Sequence, residues 1–160
     1  MARKPETGFL NVDLEVGART RTQLQPLVDE LGGTLFELWR GRIGSLYRAH
    51  YEISGCGLGA NRTIHELADR IEALRPSARR AWDAASMRDF NIGVELERGV
   101  RNIELAIDAD VIRRVAALGG RIAVTAYQVA AMKRATLSAA RSRRRGARTS
   151  SARDRSAARR

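Results

Sequence analysis

Residues 9–16 read Phe-Leu-Asn-Val-Asp-Leu-Glu-Val, and this alternation of apolar and polar side chains decides the fold class. Successive side chains of a strand point to opposite faces, so the apolar residues share one face and Asn11, Asp13 and Glu15 share the other. A strand that is covered on both faces reads as a continuous apolar run instead. The stretch therefore predicts a sheet with one buried face and one polar face, with its helices packed on a single side.

The rest of the chain supplies further strands and helices around this first strand. Thr22-Gln-Leu-Gln25 and Thr63-Ile-His-Glu66 are typical of capping boxes, and Asp108 is typical of a helix N-cap. Alternating apolar residues and turn signals predict strands at 34–40, 47–54, 90–97, 100–107 and 122–127, the ranges 90–97 and 100–107 forming a hairpin. The sequence thus predicts an α+β domain with a mainly antiparallel sheet of about six strands and about three helices on one face, in the order βαββαββαβ.

Two stretches of the chain share a pattern that suggests an internal βαβ duplication. Each has an alternating strand, a helix ending in Leu-Gly-Gly, and a second strand, and the two begin at Phe9 and Val100. The matched polar positions are Asn11 with Asn102 and Asp13 with Glu104. Short βαβ units share such patterns by chance, so duplication and coincidence both remain open.

The end of the second stretch also resembles a known family. Residues 111–120 read Val-Ile-Arg-Arg-Val-Ala-Ala-Leu-Gly-Gly and precede a strand that closes on Tyr127, and the strand Phe90-Asn-Ile-Gly follows Trp82-Asp83. These features resemble an uncharacterised family of small bacterial α+β domains of unknown function, over residues 9–127. The resemblance implies the fold, and it carries over no active site because the shared motifs are core and turn signals.

The polar sheet face is the candidate site. Alternation along the strands places carboxylates, amides, a histidine and two aromatic rings on it, and we assign as binding residues Asn11, Asp13, Trp39, His50, Glu52, Asn102, Glu104 and Tyr127. Such a face is suited to a partner protein or to a small cationic ligand. A solvated face of an antiparallel sheet is the alternative interpretation.

No catalytic residue, cofactor or metal ligand is assigned from the sequence. A nucleophile and its base must lie within about 3 Å of each other, with a third group that orients the base. Cys56 and His65 offer no such third group, and a free cysteine usually behaves as a small hydrophobic residue. One cysteine and two histidines on three elements give no metal-ligand spacing. We therefore predict a non-enzymatic interaction or ligand-binding module without a cofactor.

The net charge of +11 is concentrated in the C-terminal segment. Residues from Lys133 to Arg160 include eleven basic residues and one acidic residue, while the rest of the chain has 18 basic and 17 acidic residues. Arginine clusters neutralise phosphates, so nonspecific DNA or RNA binding is the alternative function, with candidate contacts at Arg141, Arg143, Arg144, Arg145 and Arg148. GC-rich codons also produce Arg, Ala, Gly and Ser, so a tail without function is an equal alternative.

Composition also predicts the organisation of the chain. We expect a flexible N-terminus over residues 1–8, an α+β domain over 9–130, and a basic tail over 131–160 that is partly helical and then disordered. No apolar run reaches the roughly 18 residues of a membrane-spanning helix, and a single cysteine suits a reducing cytoplasm. A second copy of the chain is one candidate cover for the open sheet face.

Overall fold

Strand β1, Phe9–Ala18, is the middle strand of the sheet and carries the centre of the core. Its residues Val12, Leu14 and Val16 are at most 1% exposed, and they lie on one face as the alternation predicts. The structure is a computed structural model, and it describes residues 8–54, 58–96 and 103–128. The predicted basic tail over 131–160 lies outside the described residues.

The described residues form five strands and four helices. Their bounds, in chain order, are β1 Phe9–Ala18, α1 Arg21–Leu31, β2 Phe36–Ile43, β3 Leu46–Glu52, α2 Ala60–Glu72, α3 Pro76–Ala84, β4 Met87–Leu96, α4 Ala109–Ala117 and β5 Arg121–Gln128. Within these ranges, no helix is long and apolar enough to cross a membrane.

The strands form one mixed sheet in the order β2-β3-β1-β4-β5. Strand β1 pairs antiparallel with β3 and β4, and β2 pairs antiparallel with β3, whereas β5 runs parallel to β4. Two parallel strands need a crossover connection, which contains α4 here. The predicted α+β class is confirmed. The predicted six mainly antiparallel strands and three helices are corrected, over the described ranges, to a mixed five-stranded sheet with four helices.

The predicted hairpin between 90–97 and 100–107 is wrong over its described part, because residues 103–108 form no strand. Both sides of β4 are already taken, by β1 on one side and β5 on the other. The segment is held instead by Asn61, whose Nδ2 donates to the Ala106 carbonyl at 3.2 Å and whose Oδ1 accepts from the Asp108 amide at 3.0 Å. Its apolar residues Leu105 and Ile107 lie against the core, which explains the alternating pattern without a strand.

The helix starts also differ from the predicted capping boxes. Helix α1 is capped by Thr20, whose Oγ1 accepts from the Gln23 amide at 3.3 Å while Gln23 Oε1 accepts from the Thr20 amide. The same signature occurs two residues later at Thr22, so the sequence pattern alone selected the wrong threonine. In α2 the N-cap is Gly59, and the Thr63 hydroxyl donates to the Gly59 carbonyl from inside the first turn.

Trp82 of α3 contacts both the sheet and α4, the helix in the crossover between β4 and β5. Its side chain is fully buried, and its indole N–H donates to the Leu118 carbonyl at the end of α4, at 2.9 Å. Its ring also meets Phe90 of β4 edge-to-face, with 6.4 Å between the ring centroids. A single side chain therefore connects α3, α4 and β4.

We expect Trp82→Phe to lower the free energy of unfolding by about 1–3 kcal/mol, because the Leu118 carbonyl loses its donor and a smaller ring leaves a gap. Urea unfolding followed by circular dichroism measures this change. Trp39→Phe is the matched control, since Trp39 is 41% exposed and its replacement should change stability by less than about 0.5 kcal/mol. Equal losses in the two variants would contradict the role assigned to Trp82.

Candidate functional site

The polar face of the sheet, called the open face below, lies opposite the face on which Val12, Leu14 and Val16 pack. Strand register and alternation place a continuous set of side chains on it. Among its residues are Asn11, Asp13, Glu15, Phe36, Trp39, Gly41, Ile43, Arg48, His50, Glu52, Asp89, Asn91, Gly93, Glu95, Arg121, Thr125 and Tyr127. The pattern that predicted this face in β1 therefore extends across all five strands.

One row of the open face crosses the whole sheet. Trp39 is paired with His50, Glu15 with both His50 and Asp89, and Asp89 with Arg121. The Trp39 and His50 rings meet edge-to-face with 5.5 Å between their centroids. At the other end of the row, the Arg121 guanidinium donates two hydrogen bonds to the Asp89 carboxylate, from Nε to Oδ1 at 3.1 Å and from Nη2 to Oδ2 at 2.5 Å. Asp89 is therefore neutralised, whereas the middle of the row is not.

Asp13, Glu15 and Glu52 form the carboxylate cluster of the open face. Asn11 Nδ2 donates to Asp13 Oδ1 at 2.7 Å and to Glu52 Oε2 at 3.3 Å, and Asn91 Nδ2 donates to Glu15 Oε1 at 2.6 Å. Among the residues that the structure describes, no arginine or lysine nitrogen lies within 4 Å of these three carboxylates. The neutral side-chain amides of Asn11 and Asn91 thus donate hydrogen bonds to all three acids, and no described arginine or lysine neutralises them.

The last strand sets the orientation of one of these amides. Thr125 of β5 donates from Oγ1 to Asn91 Oδ1 at 2.9 Å, and this leaves the Asn91 amino group to donate to Glu15. The parallel pairing of β4 and β5 puts Thr125 next to Gly93, two residues beyond Asn91. The parallel pairing of β5 with β4, which the sequence pattern did not predict, therefore helps to position the carboxylate cluster.

Burial, together with the negative charges of Glu52 and Glu15, raises the pKa of Asp13 to about 6, although the hydrogen bond from Asn11 opposes the shift. The direction matches the geometry, because a half-buried carboxylate with acidic neighbours is easier to protonate than one in water. A cation that reached the cluster would reverse this effect and would favour the ionised form.

Trp39 and His50 form the end of the open face at strand β2. A methyl group on Gly41 would lie 2.6 Å from Trp39 Cζ2, so the indole covers Gly41 and only glycine allows this arrangement. His50 Nε2 is buried, has no hydrogen-bond partner among the described residues, and lies 3.9 Å from Glu15 Oε2. Arg48 shares the face, and its Nε is also buried without a described partner.

Tyr127 forms the opposite end of the open face, on β5. It is 49% exposed, and a methyl group on Gly93 would lie 3.6 Å from its Cε2 atom and 2.8 Å from Asn11 Oδ1. The Asn11 side chain therefore packs closely over the backbone of Gly93, where a larger residue would clash with it. Four strand spacings, about 19 Å, separate β2 from β5, and Tyr127 lies six residues, about 20 Å, along β5 from Arg121, which shares the row of Trp39. Trp39 and Tyr127 are therefore about 28 Å apart, diagonally across the sheet.

The structure brings six of the eight assigned binding residues to the open face: Asn11, Asp13, Trp39, His50, Glu52 and Tyr127. Glu104 is not among them, because it lies in the exposed segment 103–108 that pairs with no strand. Asn102 lies outside the described residues, as do Arg141, Arg143, Arg144, Arg145 and Arg148. The proposed match of Glu104 to Asp13 has no counterpart in the sheet, and the duplication stays a prediction.

Sequence reasoning missed Asp89 and Arg121, because the predicted strands begin one residue after each of them. The available signal was the alternation itself, since Asp89 is two residues before Asn91 and Arg121 is four residues before Thr125. Glu15 was placed on the correct face but was not assigned to the site, although it accepts a hydrogen bond from Asn91 in the centre of the open face.

Both ring nitrogens of His65 have polar side-chain partners, which could not be identified from the sequence. Its Nε2 lies 3.1 Å from Asp110 Oδ2, and its Nδ1 lies 3.1 Å from an Arg114 nitrogen. Arg114 also binds Glu72 and Asp69, and these bonds raise the pKa of its guanidinium. Both ring nitrogens are therefore engaged in joining α2 to α4, which favours a structural role over general base chemistry.

Two other features bear on site chemistry. Cys56, the other member of the pair considered from sequence, lies outside the described residues. Over residues 8–54, 58–96 and 103–128, no group of three or more His, Cys, Asp or Glu side chains has the geometry to hold a metal ion.

Comparison of the chain with protein-family models, with curated proteins and with solved structures gives no match in any of the three. The resemblance to a family of small bacterial α+β domains therefore stays a prediction.

We expect Asp13→Asn to stabilise the domain at pH 7 by about 1–2 kcal/mol, because it removes a carboxylate whose pKa is raised in the folded state. The folded protein binds this proton more tightly than the unfolded chain, so the contribution of Asp13 is most favourable below pH 4 and is lost as the pH rises through about 6. Urea unfolding of both proteins between these limits should give a pH slope that is smaller in the variant. The exposed Asp29→Asn variant is the control and should keep the slope; an unchanged slope in Asp13→Asn would contradict the raised pKa.

Proposed function

We propose that the open face binds a basic segment of a partner protein and that the carboxylate cluster recognises its positive charge. The observation that supports this is the set of three neighbouring acids, Asp13, Glu15 and Glu52, that neutral amides hold together without a described arginine or lysine. The function is binding, and no chemical step is part of it.

The electrostatics of the cluster favour a cationic ligand. Each carboxylate can accept about four hydrogen bonds, and each receives one described side-chain amide contact, so lone pairs remain for a guanidinium or ammonium group. Like charges in a half-buried site repel one another, and an incoming cation relieves that repulsion. Charge-assisted hydrogen bonds of this kind are stronger than those between neutral groups.

The dimensions of the open face favour a protein segment over a small ligand. Trp39 and Tyr127 are exposed at opposite corners, about 28 Å apart, so a ligand of a few atoms cannot contact both. An extended peptide of about eight residues spans this distance. The rings offer cation–π and apolar contacts on either side of the acids, the usual composition of a protein interface with a few aromatic anchors.

Titration of the full chain with a hexalysine peptide tests the proposal. We expect the double variant Glu15→Gln/Glu52→Gln to raise the Kd for this peptide at least about tenfold at low ionic strength. The double variant removes two of the three negative charges of the carboxylate cluster without changing side-chain size. Binding should be tighter at pH 7.5 than at pH 5, since Asp13 is ionised only above about 6. Isothermal titration calorimetry measures both effects.

The matched control is Glu66→Gln on α2, which neutralises a carboxylate beside Arg62 and away from the open face. It should leave the Kd within a factor of about two. If Glu66→Gln and the double variant weaken binding equally, the peptide responds to overall charge and the open face is not its site.

A second function is supported by the separation of charge along the chain. Eleven basic residues and one acidic residue follow Met132, whereas the preceding part is nearly neutral and its open face is acidic. We propose that any nucleic-acid binding comes from the tail and that the folded domain adds no phosphate contacts on its open face.

Fluorescence anisotropy of labelled DNA and RNA tests this second function, with the full chain compared with a chain that ends at residue 132. We expect only the full chain to bind, with an affinity that falls steeply between about 50 and 200 mM salt. Replacing Arg141, Arg143, Arg144, Arg145 and Arg148 by Gln should reduce the salt slope by about 4 to 5, roughly one for each lost contact. Binding by the shortened chain would contradict this assignment.

A further inference from the structure

Strand β2 is an edge of the sheet, and its outer side has no strand partner among the described residues. An edge strand presents a row of unpaired N–H and C=O groups that another strand can pair with. Natural proteins protect such edges with charged side chains, above all lysine, with proline or with bulges. The β2 sequence Phe-Glu-Leu-Trp-Arg-Gly-Arg-Ile contains no lysine or proline, and its charged residues are of both signs, so a second copy of the strand can match them.

Exposed apolar side chains are concentrated on this edge. Phe36 is 55% exposed, Ile43 is 43% exposed, and Leu38 and Trp39 are each 41% exposed. Four large apolar residues within an eight-residue edge strand are costly to leave in water, and they indicate a surface that is covered by a partner. The other edge, β5, has fewer such residues, with Val124 and Tyr127 exposed.

We infer that β2 pairs antiparallel with β2 of a second copy of this chain, about a two-fold axis that passes beside Arg40 perpendicular to the sheet. The five-stranded sheet thereby becomes one ten-stranded sheet. The inference concerns the sheet edge and is independent of the function proposed for the open face.

The register follows from the faces on which the β2 side chains lie. Pairing with β3 puts Phe36, Trp39, Gly41 and Ile43 on the open face and Glu37, Arg40 and Arg42 on the helix face, with an irregularity between Glu37 and Trp39 that makes Leu38 the extra residue. An axis perpendicular to the sheet pairs only residues of the same face. With the axis at Arg40, Phe36 opposes Ile43 of the second copy, and Glu37 opposes Arg42 of the second copy.

This register makes β2 complementary to itself. Two apolar pairs form on the open face and two opposite-charge pairs form on the helix face, since the symmetry repeats each contact. Near the axis, Arg40 meets Arg40 of the second copy, and each is accompanied by the Glu37 carboxylate of its own strand at 3.4 Å. Glu37 then lies between two arginines, one from each copy.

Other registers fit less well. A shift of one residue would turn the β2 faces of the second copy over. The apolar side chains of one copy would then be opposite the charged side chains of the other, with the two sets pointing to different faces of the sheet. Moving the axis toward Gly41 places Arg40 opposite Arg42, which is repulsive. Moving it toward Trp39 leaves Arg42 and Ile43 without partners. The register centred on Arg40 is the one that uses the whole strand.

Sedimentation velocity of the full chain over a range of concentrations tests the inference. We expect a reversible dimer whose Kd rises at least about tenfold in Arg42→Glu, because two attractive pairs become repulsive. The double variant Glu37→Arg/Arg42→Glu restores opposite charges across the axis and should recover most of the affinity. Recovery by a second charge change is an outcome that a general loss of stability would not give.

Two lysine variants provide a matched pair at the two edges. Ile43→Lys on β2 should dissociate the dimer, whereas Val124→Lys on β5 should not, although Val124 is even more exposed at 60%. Melting temperatures confirm that each variant is folded, and Ile43→Lys replaces Arg42→Glu if the latter does not fold. A monomer at every concentration, a dimer broken by Val124→Lys, or a double variant that does not recover would each overturn the inference.

Discussion

The burial of only one face of β1 is the constraint on which the rest of the structure depends. Val12, Leu14 and Val16 are removed from water by the helices, which fixes the register of the neighbouring strands, because a slip of one residue would expose all three. The same constraint assigns Asn11, Asp13 and Glu15 to the opposite face. The core and the carboxylate cluster are therefore two consequences of a single alternating strand.

The parts of the fold that sequence could predict are those determined within one element. The alternation in β1, the helix that ends at Leu31 and the strand that ends near Tyr127 depend on local patterns, and they were found. The partner of β4 depends on competition between two segments. Residues 103–108 have the strand pattern, but β5 occupies the free side of β4 and Asn61 holds the other segment elsewhere.

The candidate site divides in the same way. Alternation gave the face on which Asp13, His50 and Glu52 lie, because a side chain's face is a property of its own strand. Alternation could not give the bonds between strands, such as those from Asn91 to Glu15 or from Arg121 to Asp89, since these depend on strand order and register. The single parallel pair is what brings Thr125 and Arg121 to the site, and no local pattern signals it.

Among the described residues, several acids of the helices have arginine partners, whereas the acids of the carboxylate cluster have none. On the helices, acids are matched with arginines in the pairs Arg62–Glu66, Arg75–Glu30, Arg79–Asp83 and Arg114–Glu72, all with exposed or half-exposed partners. Exposed pairs of this kind contribute little to stability, so they are not what the fold requires. The more buried acids of the cluster receive only neutral donors, and the raised pKa of Asp13 records the cost of that arrangement. This cost is present where no described arginine or lysine nitrogen lies within 4 Å of the acids, although several acids of the helices have arginine partners, and it supports an external cationic partner.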